Sequence, residues 1–307
     1  MQVKIFFIKI HYIIINLKHK ISIMFKTLLK VFFSLLILIS CSNNSVNKLS
    51  MSDFGKAPNG EVVKKFKLTN SNGLSMEVIN YGAIITNLYV PDSSGSLKDV
   101  VLGFNDFNNY YENNPYFGAI IGRYGNRISN GTFLLDGVRY ELKQNNGTNS
   151  LHGGLVGFDK VFWKFIEEKS NNQSLYFEYF SKDMEEGFPG NLVVGVEYIL
   201  NDSNELKIKY TASTDKKTII NLTQHSYFNL SGESSGDILD HILNIDADYY
   251  LPVNENMIPN GPYEKVESTP FDFNYPKKIG LDIFVNDIQL EKGKGYDHCF
   301  VLNNHNG

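Results

Sequence analysis

Two histidines, His152 and His225, have the neighbours best suited to moving protons. An unperturbed imidazole has a pKa of about 6.5, so it can give or take a proton near neutral pH. His152 stands in Ser150-Leu151-His152-Gly153-Gly154, where the glycines let a loop turn the ring into a cleft. A solvated loop histidine is the bland alternative. His225 stands in Asn221-Leu222-Thr223-Gln224-His225-Ser226-Tyr227-Phe228-Asn229-Leu230. Period-two reading places Asn221, Thr223, His225, Tyr227 and Asn229 on one face, and Leu222, Phe228 and Leu230 on the face that should bury. The His225 face mixes polar and aromatic groups, and the run contains no lysine or glutamate of the kind a solvated face favours.

Two more clusters have the same mixture of hydrogen-bonding groups, aromatics and glycines. Gly122-Arg123-Tyr124-Gly125-Asn126-Arg127-Ile128 carries two arginines four apart. Read as a strand, it puts Arg123, Gly125 and Arg127 on one face and Asn126 on the other, unless a turn intervenes. Gly295-Tyr296-Asp297-His298-Cys299-Phe300-Val301-Leu302 brings a carboxylate into an apolar strand, where Asp297 and Cys299 share a face opposite His298 and Phe300. A buried carboxylate needs a partner or a ligand, although a structural Asp capping a turn is an equal reading. Sugar rings have apolar faces and hydroxyl rims, so these four clusters suit a sugar site.

The elements that must position them have the period of strands. Alternation is plain in Leu175-Tyr176-Phe177-Glu178-Tyr179-Phe180 and in Leu206-Lys207-Ile208-Lys209-Tyr210, and no long stretch has period 3.6. Asp136-Gly137 separates Thr132-Phe133-Leu134-Leu135 from Val138-Arg139-Tyr140-Glu141 and predicts a tight hairpin. Asn201-Asp202-Ser203-Asn204 separates two further strands in the same way. Short strands without intervening helices predict an all-β antiparallel sandwich or barrel, in one domain over 51–307. The segment 296–302 reads as a buried strand.

With 42% hydrophobic residues, 13% aromatic residues and a net charge of −4, the chain can bury a large core. No basic stripe offers a surface to nucleic acid. The two cysteines are Cys41 and Cys299, and there is no CxxC or HExxH spacing for zinc, so metal-free chemistry is expected. Lys26 and Lys30 precede an apolar run over 31–39 that ends in Leu38-Ile39-Ser40-Cys41, which resembles a bacterial lipobox. The reading is a lipoprotein signal peptide over 24–41, lipidation at Cys41, and a tether over 42–50. Residues 1–23 then read as an over-extended start. An exported protein held to a membrane by its lipid alone is the expectation, on the periplasmic or cell-surface side.

Taken in order, the clusters resemble the aldose 1-epimerase (galactose mutarotase) family, whose members carry G-R-x-x-N-R-I, L-H-G-G, H-x-Y-F-N-L and G-x-D-H-x-F. Here these are residues 122–128, 151–154, 225–230 and 295–300. Asn80-Tyr81-Gly82-Ala83, Gly187-Phe188-Pro189-Gly190 and Thr269-Pro270-Phe271-Asp272-Phe273 add to the match, which runs over 66–302. The resemblance implies a large antiparallel β-sandwich of the galactose mutarotase-like supersandwich type with an open sugar cleft. It implies interconversion of the α and β anomers of free aldohexoses such as galactose and glucose, without cofactor or metal. By the same resemblance His225 is the general acid towards the ring oxygen and His152 the second catalytic histidine, which also binds that end of the sugar. Arg127 and Asp297 hold sugar hydroxyls, with Asn126 beside them. The family's general base is a glutamate beyond the D-H-x-F segment, and no acidic residue here matches it. The 307 residues are therefore expected to be nearly inactive and to lack the C-terminal strands. The alternatives are a non-catalytic lipid-anchored sugar-binding protein and a glycoside hydrolase or lyase. A hydrolase would need two flanking carboxylates, and only Asp297 lies in a candidate motif.

Overall fold

The computed structural model describes residues 48–304. The expected start, signal peptide and Cys41 lipidation site lie outside the described residues. Five antiparallel strands form the first sheet in sequential order: β1 (Lys48–Lys56), β2 (Val62–Thr69), β3 (Ser75–Ile79), β4 (Ile85–Pro91) and β5 (Leu97–Asp99). In β1, Lys48 pairs with Thr69 and Leu49 with Leu68, so the sheet takes in the last residues of the expected tether. Leu49 packs against the core.

Short pairs follow. β6 (Ile120–Ile121) joins a later strand, and β7 (Arg127–Ile128) pairs with β10 (Ser150–Leu151). Between them lies the hairpin β8 (Thr132–Leu135) and β9 (Val138–Glu141), with Leu135 opposite Val138. Asp136 at φ 50° and Gly137 at φ 78° are both left-handed, as a two-residue primed turn requires.

The second large sheet has the order β11 (Lys164–Phe165), β12 (Ser174–Ser181), β13 (Leu192–Leu200) and β14 (Leu206–Thr214). The turn at 201–205 joins β13 to β14 and is closed by Asn201 N–H donating to the Glu205 carbonyl. In β13, Leu192, Val194, Val196, Tyr198 and Leu200 are buried. They meet Phe66, Leu68, Met76 and Val78 from the first sheet in one core, so the two sheets pack face to face. The Phe66 and Phe177 rings meet edge to face at 5.2 Å. The buried Tyr198 hydroxyl donates to the Ala83 carbonyl at 2.6 Å.

β15 (Thr223–Gln224) pairs with β6, and the remaining strands are two residues each: β16 (Ile242–Leu243), β17 (Tyr249–Tyr250), β18 (Glu264–Lys265), β19 (Lys277–Lys278) and β20 (Phe300–Val301). The expected buried strand over 296–302 is therefore corrected. Only Phe300 and Val301 are strand, on the edge of the order β18-β17-β20, and Leu302 is exposed. Two short helices break the all-strand pattern. α1 (Phe107–Asn113) starts where the Asp106 carboxylate accepts from Asn109 N–H, and α2 (Ile288–Gly293) where Asp287 accepts from Gln289 and Leu290 N–H.

Candidate active site

β15 sets Thr223 opposite Ile121 and Gln224 opposite Ile120. The ladder continues one residue further: His225 N–H donates to the Ala119 carbonyl at 2.9 Å, and Gly118 N–H to the His225 carbonyl at 3.1 Å. At Ser226 the alternation stops, because the Gln224 side chain accepts from Ser226 N–H and donates to its hydroxyl. The expected facing is thereby overturned downstream. Phe228 and Leu230 are exposed, while Asn229 is buried and donates to the Gly236 carbonyl.

The 122–128 segment is not a strand over its length: Asn126 takes φ 65°, Arg127 and Ile128 pair with β10, and Tyr124 makes only an isolated parallel bridge to Asn221. The two arginines part company there. Arg123 is 2% exposed and donates to Ser181 Oγ and to the carbonyls of Ser181, Lys182 and Pro189. Arg127 donates to the side-chain oxygens of Asn146 and Asn126.

His152 and Asn126 lock the two loops together. His152 N–H donates to the Asn126 carbonyl at 3.0 Å, and Asn126 N–H donates to His152 Nδ1 at 2.9 Å. An imidazole that accepts at Nδ1 carries its proton on Nε2, so neutral His152 offers a single outward donor. The φ of 55° at His152 and 97° at Gly153 make the turn, and a Cβ on Gly153 would run into the Gly122 carbonyl.

Both histidines meet at this point, with ring centroids 5.1 Å apart and planes nearly perpendicular. Tyr116 packs on both, 4.6 Å from His152 and 5.6 Å from His225, and Tyr227 lies 5.1 Å from His225. Burial pushes His152 down to about 3, helped by the charges of His225, Arg127 and Lys160. Burial also lowers His225, but its own backbone, Asp297 and Asp159 act against that. One imidazole is thus held neutral while the other keeps a stronger tie to the proton.

Asp297 is exposed, not buried as its apolar surroundings suggested, yet its charge reaches both His225 and Tyr227. The alternation around it holds: Cys299 is exposed, and His298 turns inward against Phe271 at 4.7 Å. Among the described residues no carboxylate is hydrogen-bonded to either imidazole, and no group of three or more His, Cys, Asp or Glu is placed to hold a metal ion. Concavities of about 410 and 430 Å³ lie at Asp248–Tyr275 and at Ile283–Gly295, and neither is lined by the two imidazoles.

Sequence reasoning missed Tyr116, which joins the two rings. Its signal was weak: an aromatic pair, Tyr116-Phe117, directly before Gly118. Its φ of 68° could not be read from residue type.

Two antiparallel sheets packed face to face, with two imidazoles in contact, define an all-β sandwich protein with a candidate proton-transfer centre, and comparison narrows the class. The aldose 1-epimerase family model matches residues 64–307, and the chain belongs to that family. It is 45% identical over 255 residues to a galactose mutarotase of Sus scrofa, covering 83% of this chain and 72% of that one. It is 40% identical over 246 residues to an aldose 1-epimerase of Escherichia coli, covering 80% and 70%. A crystal structure of galactose 1-epimerase from Lactobacillus acidophilus superposes with a TM-score of 0.75 at 30% identity, covering 85% of this chain and 76% of that one.

Proposed function

We propose that the protein interconverts the α and β anomers of free aldohexoses, galactose and glucose among them, by acid/base ring opening and closure. The observation that carries this reading is the pair of imidazoles in contact, with ring centroids 5.1 Å apart, in a chain of this family. Protonated His225 gives its proton to the ring oxygen as the C1–O5 bond breaks, and solvent water takes the proton of the anomeric hydroxyl as the C1 carbonyl forms. Rotation about C1–C2 presents the other carbonyl face, and closure reverses the transfers. Neutral His152 donates a hydrogen bond from Nε2 to the oxygen that develops charge. Arg127, Asn126 and Asp297 hold hydroxyls at the rim. No metal or cofactor enters the scheme.

Positioned acid or base groups each contribute about 10² to 10⁴ in rate. His225 as the acid should account for an acceleration of that order. Polarimetry on freshly dissolved α-galactose in dilute buffer tests this. The expected result is a relaxation above the buffer rate whose kcat His225→Asn lowers strongly with little change in KM. Equal rates for the two proteins would refute the assignment. Calorimetric binding of galactose without any acceleration would instead favour a non-catalytic sugar-binding protein.

We also propose that Cys41 is acylated and that the exported protein is held at a membrane by that lipid. The support is the lysine-flanked apolar run ending in Leu38-Ile39-Ser40-Cys41. Among the described residues no helix is long and apolar enough to cross a membrane. Metabolic labelling with an alkynyl fatty acid should mark the wild type and spare Cys41→Ser. Labelling of both would overturn the proposal.

A further inference from the structure

The turn that follows His152 carries an ion pair that the scheme above leaves unused. Asp159 is 4% exposed, and its Oδ2 meets Lys160 Nζ at 2.8 Å, while Oδ1 is buried with no hydrogen-bond partner. A buried carboxylate oxygen without a partner costs stability, so folding alone gives no reason for a charge there. The turn itself is fixed by backbone: Phe158 N–H donates to the Gly122 carbonyl and Lys160 N–H to the Gly157 carbonyl. Lys160 leaves this turn with its ammonium 5.4 Å from the centre of the Tyr116 ring. That ring is the one in contact with both imidazoles.

We propose, resting on the anomerase reading of the site, that Asp159 and Lys160 are positioning residues: the carboxylate pins the ammonium over Tyr116, and Tyr116 so held seats His152 and His225. A cation over an aromatic face is attracted by the ring quadrupole, more strongly when desolvated, and so favours one ring orientation. The electrostatics agree with the geometry. His152 is faced by His225, Arg127, Lys160 and the Tyr116 ring, and every charge in that set opposes its protonation. His225 is faced by His152, Tyr116, Tyr227, Asp297 and Asp159, and both carboxylates favour its protonation. Burial pushes the Asp159 carboxyl up from its ordinary value and the Lys160 ammonium draws it back down. The pair therefore sits with its positive end acting on the imidazole that stays neutral and its negative end acting on the one that titrates.

The test uses the full chain and three variants: Asp159→Asn, Lys160→Met and Lys160→Arg. In the sugar-free protein, NMR should show the His225 titration midpoint lowered by roughly half a unit to one unit in Asp159→Asn, since a carboxylate that favours imidazolium is gone. Ring-to-ring NOEs between Tyr116 and His152 should weaken in Lys160→Met and persist in Lys160→Arg. In polarimetry, kcat should fall roughly ten-fold or more in Lys160→Met, with KM nearly unchanged, and recover in Lys160→Arg. An unchanged His225 midpoint in Asp159→Asn, or NOEs in Lys160→Met equal to those of the wild type, would overturn the proposal. The NMR arms need no turnover, so a wild type that fails to anomerise galactose sinks the functional reading and leaves this one to be decided. Should Asp159→Asn fail to fold, the lysine variants decide it, because the Lys160 side chain is 39% exposed.

Discussion

Arg123 and Arg127 sit four residues apart in one motif, and truncating them should damage the protein in different ways. Arg123→Met removes a guanidinium that is 2% exposed and satisfies Ser181 Oγ and three backbone carbonyls. A hydrogen bond to a charged group contributes about 1.5 to 3 kcal/mol net, but the four share one desolvated ion, so their sum overcounts. Removing one side of a buried charged arrangement costs about 3 to 5 kcal/mol, and here Ser181 and Pro189, whose carbonyls lose their donor, are themselves buried. Methionine refills part of the volume, which places the expected loss near the lower end, about 3 kcal/mol. For a domain of this size that corresponds to a fall in Tm of roughly 10 °C. Urea unfolding followed by circular dichroism reads the midpoint, and galactose titration below the transition reads the site. The variant should be much less stable, with a nearly unchanged sugar affinity. A loss under about 1 kcal/mol would refute the assignment of Arg123 to the scaffold. Arg127→Met, whose donors reach only Asn146 and Asn126 at a partly open edge, should keep its stability within about 1 kcal/mol and bind galactose more weakly.

Three further outcomes follow from the same geometry. An unfolded His152 takes up a proton below about pH 6.5 and the folded one only near pH 3, so its contribution is intact above 6.5 and lost progressively as pH falls across that window. Unfolding midpoints measured from pH 7 to pH 4 should therefore decline more steeply in the wild type than in His152→Gln, and parallel curves would contradict the depressed value. Gly153→Ala combines a left-handed φ with a Cβ driven into the Gly122 carbonyl, and should cost about 1 to 3 kcal/mol while loosening the His152 loop. An unchanged midpoint would show that the loop yields freely. Tyr198→Phe strands the Ala83 carbonyl between the sheets and should cost about 1 to 2 kcal/mol in the same measurement, whereas a neutral result would mean the 2.6 Å bond adds nothing net.

What the sequence made legible was whatever depends on local period. Asp136-Gly137 specified its hairpin because both residues accept positive φ, and the alternation in Leu175-Tyr176-Phe177-Glu178-Tyr179-Phe180 marked β12, where Leu175 and Phe177 are buried. The two imidazoles were legible from their neighbours, although their contact joins residues 73 positions apart in numbering, His152 and His225. The failures have a common origin in side chains that compete with the backbone ladder. Gln224 captures Ser226 and ends the alternation, so Phe228 and Leu230 turn outward. Asn126 bends the arginine motif, sending Arg123 into the scaffold and leaving Arg127 at the edge. Asp106 and Asp287 start helices too short to register as a period in the sequence.

The bond from Asn126 N–H to His152 Nδ1 has a consequence for how this centre tolerates change. The donor that dictates which ring nitrogen bears the proton belongs to the main chain, so every amino acid except proline would supply it. Among the residue types that accept the φ of 65° at this position, the Asn126 side chain can therefore change, altering what it offers to Arg127, without rewriting the protonation pattern of the neighbouring imidazole. Side-chain contacts at the rim and proton placement at the centre are inherited through different parts of the same residue, and selection can adjust one while the other stays fixed.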